Sequence, residues 1–117
     1  MNPIGSNKKF VSGIVPPTER SEPAWWFAFQ GNKLLVHFES SSVSIPRLVD
    51  FAELGITPLS QHYLGQLDAQ HCYAIDLAEG IIPPGEMIFE GLRQVYGRLD
   101  EDLFWLAARA VQIIEWD

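Results

Sequence analysis

The chain has 117 residues, of which 47% are hydrophobic and 20% are charged, which suits one globular domain and excludes a disordered or membrane-spanning chain. Its formal net charge is −7, and its eight basic residues are scattered along the sequence. Because binding phosphates requires clustered Lys and Arg, this balance argues against nucleic acid as a partner of the segment.

Residues 1–24 predict a loose N-terminal arm, because Pro and Gly recur between polar residues without helical or strand periodicity. Within this arm, Phe10-Val11 and Ile14-Val15 could dock on the core as short extended pieces. We place the domain at residues 25–117 and expect ordered structure to begin at Trp25.

Residues 25–30 and 33–38 are apolar, strand-like runs separated by Gly31-Asn32, which tolerate the positive φ of a primed hairpin turn. They predict a first β-hairpin. No basic residues interleave with its aromatic rings, so core packing is favoured over stacking on nucleic-acid bases.

Residues 44–55 predict a short helix. Pro46 suits the first turn, where a missing N–H costs nothing, and Gly55 can take the left-handed conformation that ends a helix. The three-residue spacing of Leu48, Phe51 and Leu54 would then direct these side chains to the core.

Residues 61–67 and 71–77 predict a second hairpin around Asp68-Ala69-Gln70. Side chains alternate between the two faces of a strand, so the second run should present a different set to each face. One set is Cys72 and Ala74, with Asp76 as a further candidate, and the other is Tyr73, Ile75 and Leu77.

The last third of the chain predicts two helices. The first covers residues 86–96, with Gly97 as its stop and a stripe formed by Ile88, Leu92 and Val95. Asp100 would cap the second, which runs to about residue 116. Its broad apolar face, which must pack on the sheet or on another helix, consists of Leu103, Leu106, Ala107, Ala110, Val111 and Ile114.

These elements combine into an α+β fold. We expect a small antiparallel or mixed sheet built from two hairpins, packed against two C-terminal helices and one short helix. The single cysteine, Cys72, can form no internal disulfide, and no secretory signal opens the chain. We therefore expect a cytoplasmic protein in which Cys72 is a small buried side chain in a strand.

No catalytic centre is indicated. His37, His62 and His71 have no short ligand spacing, and the sequence lacks a CxxC pair. His62 and His71 could approach each other across the second hairpin, but two histidines without a third ligand favour exposed strand residues. Phosphate-binding glycine loops and the nucleophile elbow are also missing. We assign no catalytic, cofactor-binding or metal-binding residue.

Two carboxylate clusters remain. Glu86 and Glu90 have the i,i+4 spacing at which two helical residues could share a cation. Asp100, Glu101 and Asp102 suit a helix cap and first turn, where negative charge opposes the helix dipole. Solvated helix surface is the favoured interpretation of both clusters.

Residues 91–116, which include the run Leu-Ala-Ala-Arg-Ala at 106–110, resemble the end of the amino-terminal domain of NADH pyrophosphatases. These enzymes are Nudix hydrolases that also carry a zinc ribbon. Residues 63–68 and 73–77 are similar to the second hairpin of that domain, and residues 44–55 to its short helix. The resemblance covers most of residues 25–117.

The resemblance implies a parent enzyme that hydrolyses NAD(H) to NMN(H) and AMP. Such enzymes hold structural Zn²⁺ in the ribbon and catalytic Mg²⁺ or Mn²⁺ on glutamates of the Nudix box. Neither the ribbon nor the box occurs in this segment, so none of the family's metal or catalytic residues is carried onto it. The resemblance therefore implies a non-catalytic structural and dimerisation domain, in contact with the parent's zinc-ribbon and Nudix domains.

If the domain has that role, an apolar surface should be uncovered in the isolated chain. We expect it on the apolar face of residues 100–116 or at the Trp25-Trp26 edge. Two alternatives stay open: a stand-alone protein-interaction module, and a domain that binds a small ligand such as a nucleotide. The ligand pocket would lie beneath the first hairpin, with Trp25, Trp26 and Tyr63 as walls.

Overall fold

The computed structural model of the chain describes residues 10–12, 23–39 and 42–116. Its elements confirm the predicted α+β class. In chain order they are β1 (Phe10–Ser12), β2 (Ala24–Gln30), β3 (Lys33–Glu39), β4 (Ser42–Ser44), β5 (Arg47–Leu48), a 3-10 helix (Phe51–Leu54), β6 (Ser60–Leu67), β7 (Gln70–Leu77), β8 (Met87–Gly91), α1 (Leu92–Val95) and α2 (Glu101–Trp116).

The described strands form one mixed sheet. Six of them follow the order β1-β6-β7-β2-β3-β4, while β5 pairs with β2 and β8 pairs with β3. Both predicted hairpins, β2–β3 and β6–β7, are present and antiparallel. They are joined side by side through a parallel pairing of β2 with β7, which runs from Trp25 opposite Cys72 to Gln30 opposite Leu77.

Both faces of the central strands are buried. On one face Phe27, Phe29, Cys72 and Ala74 pack against the apolar side of α2. On the other face lies a second core that includes Trp26, Tyr73, Ile75 and Leu77 of the sheet and Phe51 of the 3-10 helix. The alternation predicted for residues 72–77 is therefore confirmed, because Cys72 and Tyr73 belong to different cores.

The turn of the second hairpin is tighter than predicted. Strand β7 already begins at Gln70, which leaves Asp68-Ala69 as a two-residue turn. Both turn residues have positive φ, 53° and 66°. This is the signature of a primed turn, whose twist matches that of the flanking strands.

The helix predicted over residues 86–96 is wrong for most of its length. Residues 87–91 form β8, which is antiparallel to β3, and only residues 92–95 are helical. As a strand, this segment directs Ile88 to one core while Met87 and Phe89 reach the other. Pairing with β3 thus partly buries apolar side chains on both faces, which a single helical stripe could not do.

The predicted short helix is shorter than its sequence pattern indicated. The carbonyl of Pro46 accepts a hydrogen bond from Trp26 N at 3.1 Å, and residues 47–48 pair with β2. Asp50 then caps the 3-10 helix through a capping box with Glu53. Gly55 ends it with φ 74°, as predicted.

Two further expectations concern the N-terminal arm. The extended docking of Phe10-Val11 is confirmed, because residues 10–12 pair with β6 from Phe10 opposite Leu67 to Ser12 opposite Gly65. Ile14-Val15 lie outside the described residues, and the looseness of the arm stays a prediction. In the described part of the chain, neither α-helix combines the length and apolarity needed to cross a membrane.

Candidate functional site

Cys72 is fully buried in β7, as predicted. Its thiol donates to the carbonyl of Gln70, with Sγ 3.6 Å from the oxygen. Burial raises the pKa of Cys72 to about 12. The thiol is therefore protonated at neutral pH and is a poor nucleophile, which suits a structural side chain.

The histidines of the second hairpin do not meet. His62 lies opposite Ala74 in the β6–β7 register, whereas His71 lies opposite Gln66. Because Ala74 and His71 are three residues apart on β7, alternation places the two histidines on opposite faces of the sheet. The predicted approach of His62 to His71 is therefore wrong.

His71 has a different partner. Its Nδ1 lies 2.8 Å from the hydroxyl oxygen of Tyr63, and the two groups share a hydrogen bond. Burial raises the pKa of the Tyr63 hydroxyl. The ring of Tyr63 also contacts that of Tyr73, with centroids 5.3 Å apart. The hydrogen bond between Tyr63 and His71 is therefore part of the packing around the second core.

Of the two carboxylate clusters, only the one at residues 100–102 lies at the helix start that was predicted for it. Glu86 lies in the turn that precedes β8, and Glu90 lies within the strand, so the two residues do not share one helical face. They cannot share a cation as helical neighbours would. In the other cluster Asp100 caps α2, accepting a hydrogen bond at Oδ1 from Asp102 N at 3.0 Å. This cap was predicted.

The residues described here contain no group of three or more His, Cys, Asp and Glu side chains that could hold a metal ion. His37 has an acidic neighbour, with Nε2 4.0 Å from Oε2 of Glu86. This pair lies at the surface and lacks a third ligand. The described donor set therefore does not fit a zinc or magnesium site.

The ligand pocket predicted beneath the first hairpin is wrong. Trp25 and Trp26 are consecutive residues of β2, so they lie on opposite faces of the sheet. Trp26 is fully buried, and its Nε1 donates to the carbonyl of Leu48 at 2.7 Å. Trp25 packs on the other core, with the guanidinium of Arg47 4.9 Å from its ring centre. These rings cannot form the walls of one pocket.

A cleft of about 550 Å³ does lie beside β8, where it runs along the β2–β3 turn and the carboxyl end of α2. Its basic groups, Lys33 and Arg93, are balanced by Glu90 and Glu115 in the same lining. The cleft therefore has no net charge with which to attract a phosphate, and it does not support nucleotide binding.

The two surfaces that the sequence suggested as uncovered are largely covered. The apolar face of α2 is packed on the sheet, with Leu103, Ala107 and Ala110 at most 5% exposed. Trp26 is fully buried, and Trp25 is partly covered. The predicted location of the uncovered surface is therefore wrong.

An exposed aromatic surface lies instead on the outer side of α2. Trp105 is 60% exposed, and Tyr96, from the turn before the helix, is 68% exposed. Phe104 lies between them and contacts both rings edge-on, with centroids 5.1 Å from Tyr96 and 5.4 Å from Trp105. Large apolar side chains that cluster at a surface are typical of an interaction site.

Two shallow clefts flank Trp105. One, of about 230 Å³, is lined by Tyr96, Glu101 and Phe104 among others. The other, of about 450 Å³, runs along α2 past Ala108 and Arg109. We call the exposed side of the helix the α2 outer surface; it consists of Glu101, Trp105, Ala108, Arg109 and Gln112. It has the mixed apolar and charged character of a protein-docking surface.

The α2 outer surface was not predicted from the sequence, because the prediction considered only the apolar stripe that faces the core. The signal was nevertheless present in the sequence. At 100° per residue, Trp105 points almost directly away from Leu103 and Ala107, into the polar face between Glu101 and Arg109. A tryptophan on the polar face of an amphipathic helix indicates an exposed aromatic surface.

Comparison with known proteins gives one match. A family model described as NUDIX-like, NADH pyrophosphatase-like rudimentary NUDIX domain, matches residues 23–116. The searches of curated proteins and of solved structures found no match. The matched segment begins one residue before β2 and ends with the last residue of α2, so it includes every element described above except β1.

Proposed function

Because this chain belongs to the family of NADH pyrophosphatase-like rudimentary NUDIX domains, we propose that it is a non-catalytic structural domain of an NAD(H)-hydrolysing enzyme. Membership confirms the resemblance, which covers most of residues 25–117. The match over residues 23–116 is the observation on which the proposal rests.

The chemistry of the reaction favours a non-catalytic role. Hydrolysis of a phosphate anhydride requires divalent cations that neutralise developing charge and activate water. Such cations need several convergent oxygen ligands, and the described residues bring no three candidate ligands together. We therefore infer that catalytic Mg²⁺ or Mn²⁺ and structural Zn²⁺ belong to Nudix and zinc-ribbon domains elsewhere in the parent.

The exposed aromatic residues favour a role in assembly. Tyr96 and Trp105 each leave more than half of their surface in water, and their burial would stabilise a contact by the hydrophobic effect. We infer that the domain braces a homodimeric, cytoplasmic parent and contacts its zinc-ribbon and Nudix domains.

The test compares three proteins: this chain alone, the proposed parent enzyme, and the parent enzyme without residues 23–116. The parent enzyme is called the longer protein below. Turnover of NADH with Mg²⁺ is followed by chromatography of NMNH and AMP, and assembly is followed by light scattering. We expect no turnover by the chain alone. We expect the deletion to reduce both dimer content and turnover.

Adding the purified chain back to the deleted protein is the matched control, because a folded domain can restore assembly only if it docks. Turnover by the isolated chain would contradict the non-catalytic assignment. Full dimer content and full turnover after the deletion would contradict the structural role.

A further inference from the structure

We propose that the α2 outer surface binds a second copy of this chain, with the two α2 helices packed antiparallel across a two-fold axis at Trp105. The inference rests on the proposed function, since it names the surface and the partner for the homodimeric role. It goes further because it specifies which residues meet.

The placement of charge along α2 carries the inference. Glu101 lies four residues before Trp105, and Arg109 lies four residues after it. All three side chains are exposed on the same side of the helix. Glu101 and Arg109 thus lie about 6 Å from Trp105 along the helix axis, in opposite directions.

A two-fold axis that passes through Trp105 exchanges these two positions. In an antiparallel helix pair, Glu101 of one copy lies beside Arg109 of the other, and the same pair forms again on the other side of the axis. Isologous contacts have this reciprocity, in which each residue meets its partner twice. A parallel arrangement would instead place Glu101 against Glu101 and Arg109 against Arg109.

The apolar centre of the surface suits the same geometry. Trp105 is exposed at the midpoint, where the two helices come closest, and Ala108 on the same side leaves room for the partner's backbone. The shallow clefts on either side of Trp105 can receive the partner's indole in an offset stack. Towards its ends the contact becomes polar, which resembles the rim of a protein interface.

The size of the contact limits its strength. A single pair of helices buries less than the roughly 800 Å² per partner that stable complexes bury, and two chains with a net charge of −7 repel each other. We therefore expect reversible association of the isolated chain, which further contacts of a longer parent would strengthen.

The first test is sedimentation velocity of the whole chain from micromolar to millimolar concentration. We expect concentration-dependent dimers, and we expect Trp105→Ala to weaken association at least ~10-fold. The matched control is Ile82→Ala, because Ile82 is a large apolar residue with 83% exposure elsewhere on the chain. This control should associate like the wild type.

The second test reverses the charges. Glu101→Arg and Arg109→Glu should each weaken the dimer several-fold, and the double variant should regain near wild-type affinity because the pairs re-form with opposite sign. Far-UV circular dichroism checks that α2 stays folded. Glu101→Gln serves as a milder variant, since a basic residue in the first turn opposes the helix dipole.

Three results would overturn the inference: a wild-type chain that is monomeric at every concentration, a Trp105→Ala variant that dimerises normally, or a double reversal no better than the single ones. None of them bears on the deletion experiment with the longer protein. If the domain braces its parent through another surface, the association tests on Trp105, Glu101 and Arg109 would fail, while the deletion experiment would still give the expected result.

Discussion

Trp26 stacks on Tyr73, with ring centroids 4.5 Å apart and ring planes inclined by 13°. The two residues are register partners on β2 and β7, the parallel pair that joins the two hairpins. Trp26 also donates its indole N–H to the carbonyl of Leu48, in the segment that precedes the 3-10 helix. One side chain thus connects three parts of the chain that are distant in sequence.

We predict that Trp26→Ala lowers the free energy of unfolding by about 3–5 kcal/mol, because it removes a large, fully buried ring. Trp26→Phe keeps a ring but leaves the Leu48 carbonyl without its donor, at a cost of roughly 1–3 kcal/mol. Urea unfolding followed by circular dichroism measures both. Trp105→Ala, at the surface, should change stability by about 0.5 kcal/mol or less. Equal losses at Trp26 and Trp105 would contradict this account of the core.

The turn of the second hairpin offers a stabilising change. Ala69 has φ 66°, a left-handed conformation that costs a non-glycine residue about 1–2 kcal/mol. We expect Ala69→Gly to raise the free energy of unfolding by about 1 kcal/mol, measured by thermal and urea unfolding.

The first hairpin provides the converse experiment. Gly31 has φ 64°, and a Cβ added there would meet no atom within 4 Å. Gly31→Ala should therefore cost about 1 kcal/mol through backbone strain alone. If both substitutions changed stability in the same direction, strain at positive φ could not be the cause.

The sequence predicted the elements whose signals are local. Gly31-Asn32 between two apolar runs indicated the first hairpin, and Asp100 before an amphipathic stretch indicated the start of α2. Strand β8 was missed because its partner, β3, lies about fifty residues earlier in the chain. The apolar spacing of residues 88–95 fits a helix when no partner is known, and only the pairing with β3 decides for a strand.

The α2 outer surface was predicted only in kind. An uncovered apolar surface was expected, but whether an aromatic residue is covered depends on tertiary packing. The pocket between Trp25 and Trp26, in contrast, could have been rejected from the sequence. Consecutive residues of a strand point to opposite faces, so the two rings could never have lined one pocket from β2.

Burial of Cys72 gives a pH dependence. Its thiol has an ordinary pKa of 9.0 and a folded-state pKa of about 12. Between these values the unfolded chain releases the thiol proton while the folded chain retains it, so stability falls as pH rises. We expect a loss of about 1.4 kcal/mol per pH unit from this group.

The measurement is urea unfolding at a series of pH values above 8, for the wild type and for Cys72→Ala. The variant should be less stable at neutral pH, since it lacks the buried sulfur, but its stability should fall less steeply with rising pH. Tyr63, whose pKa burial also raises, adds the same slope to both proteins above pH 10.0. Parallel curves for the two proteins would rule out Cys72 as the source.

The cap of α2 connects local structure with the α2 outer surface. Asp100 accepts hydrogen bonds from Asp102 N at its side chain and from Phe104 N at its carbonyl, at 3.0 and 2.8 Å. Asp100→Ala should lower the free energy of unfolding by about 1 kcal/mol, because the first turn loses a partner for its free N–H groups. Asp100→Asn keeps an acceptor oxygen and should cost less than Asp100→Ala. The difference in stability between the wild type and Asp100→Asn measures the contribution of the negative charge at the positive end of the helix. Urea unfolding and far-UV circular dichroism measure these effects. If Asn were as damaging as Ala, the contribution of Asp100 would be its charge, and fraying of the turn that carries Glu101 would depend on salt rather than on the cap.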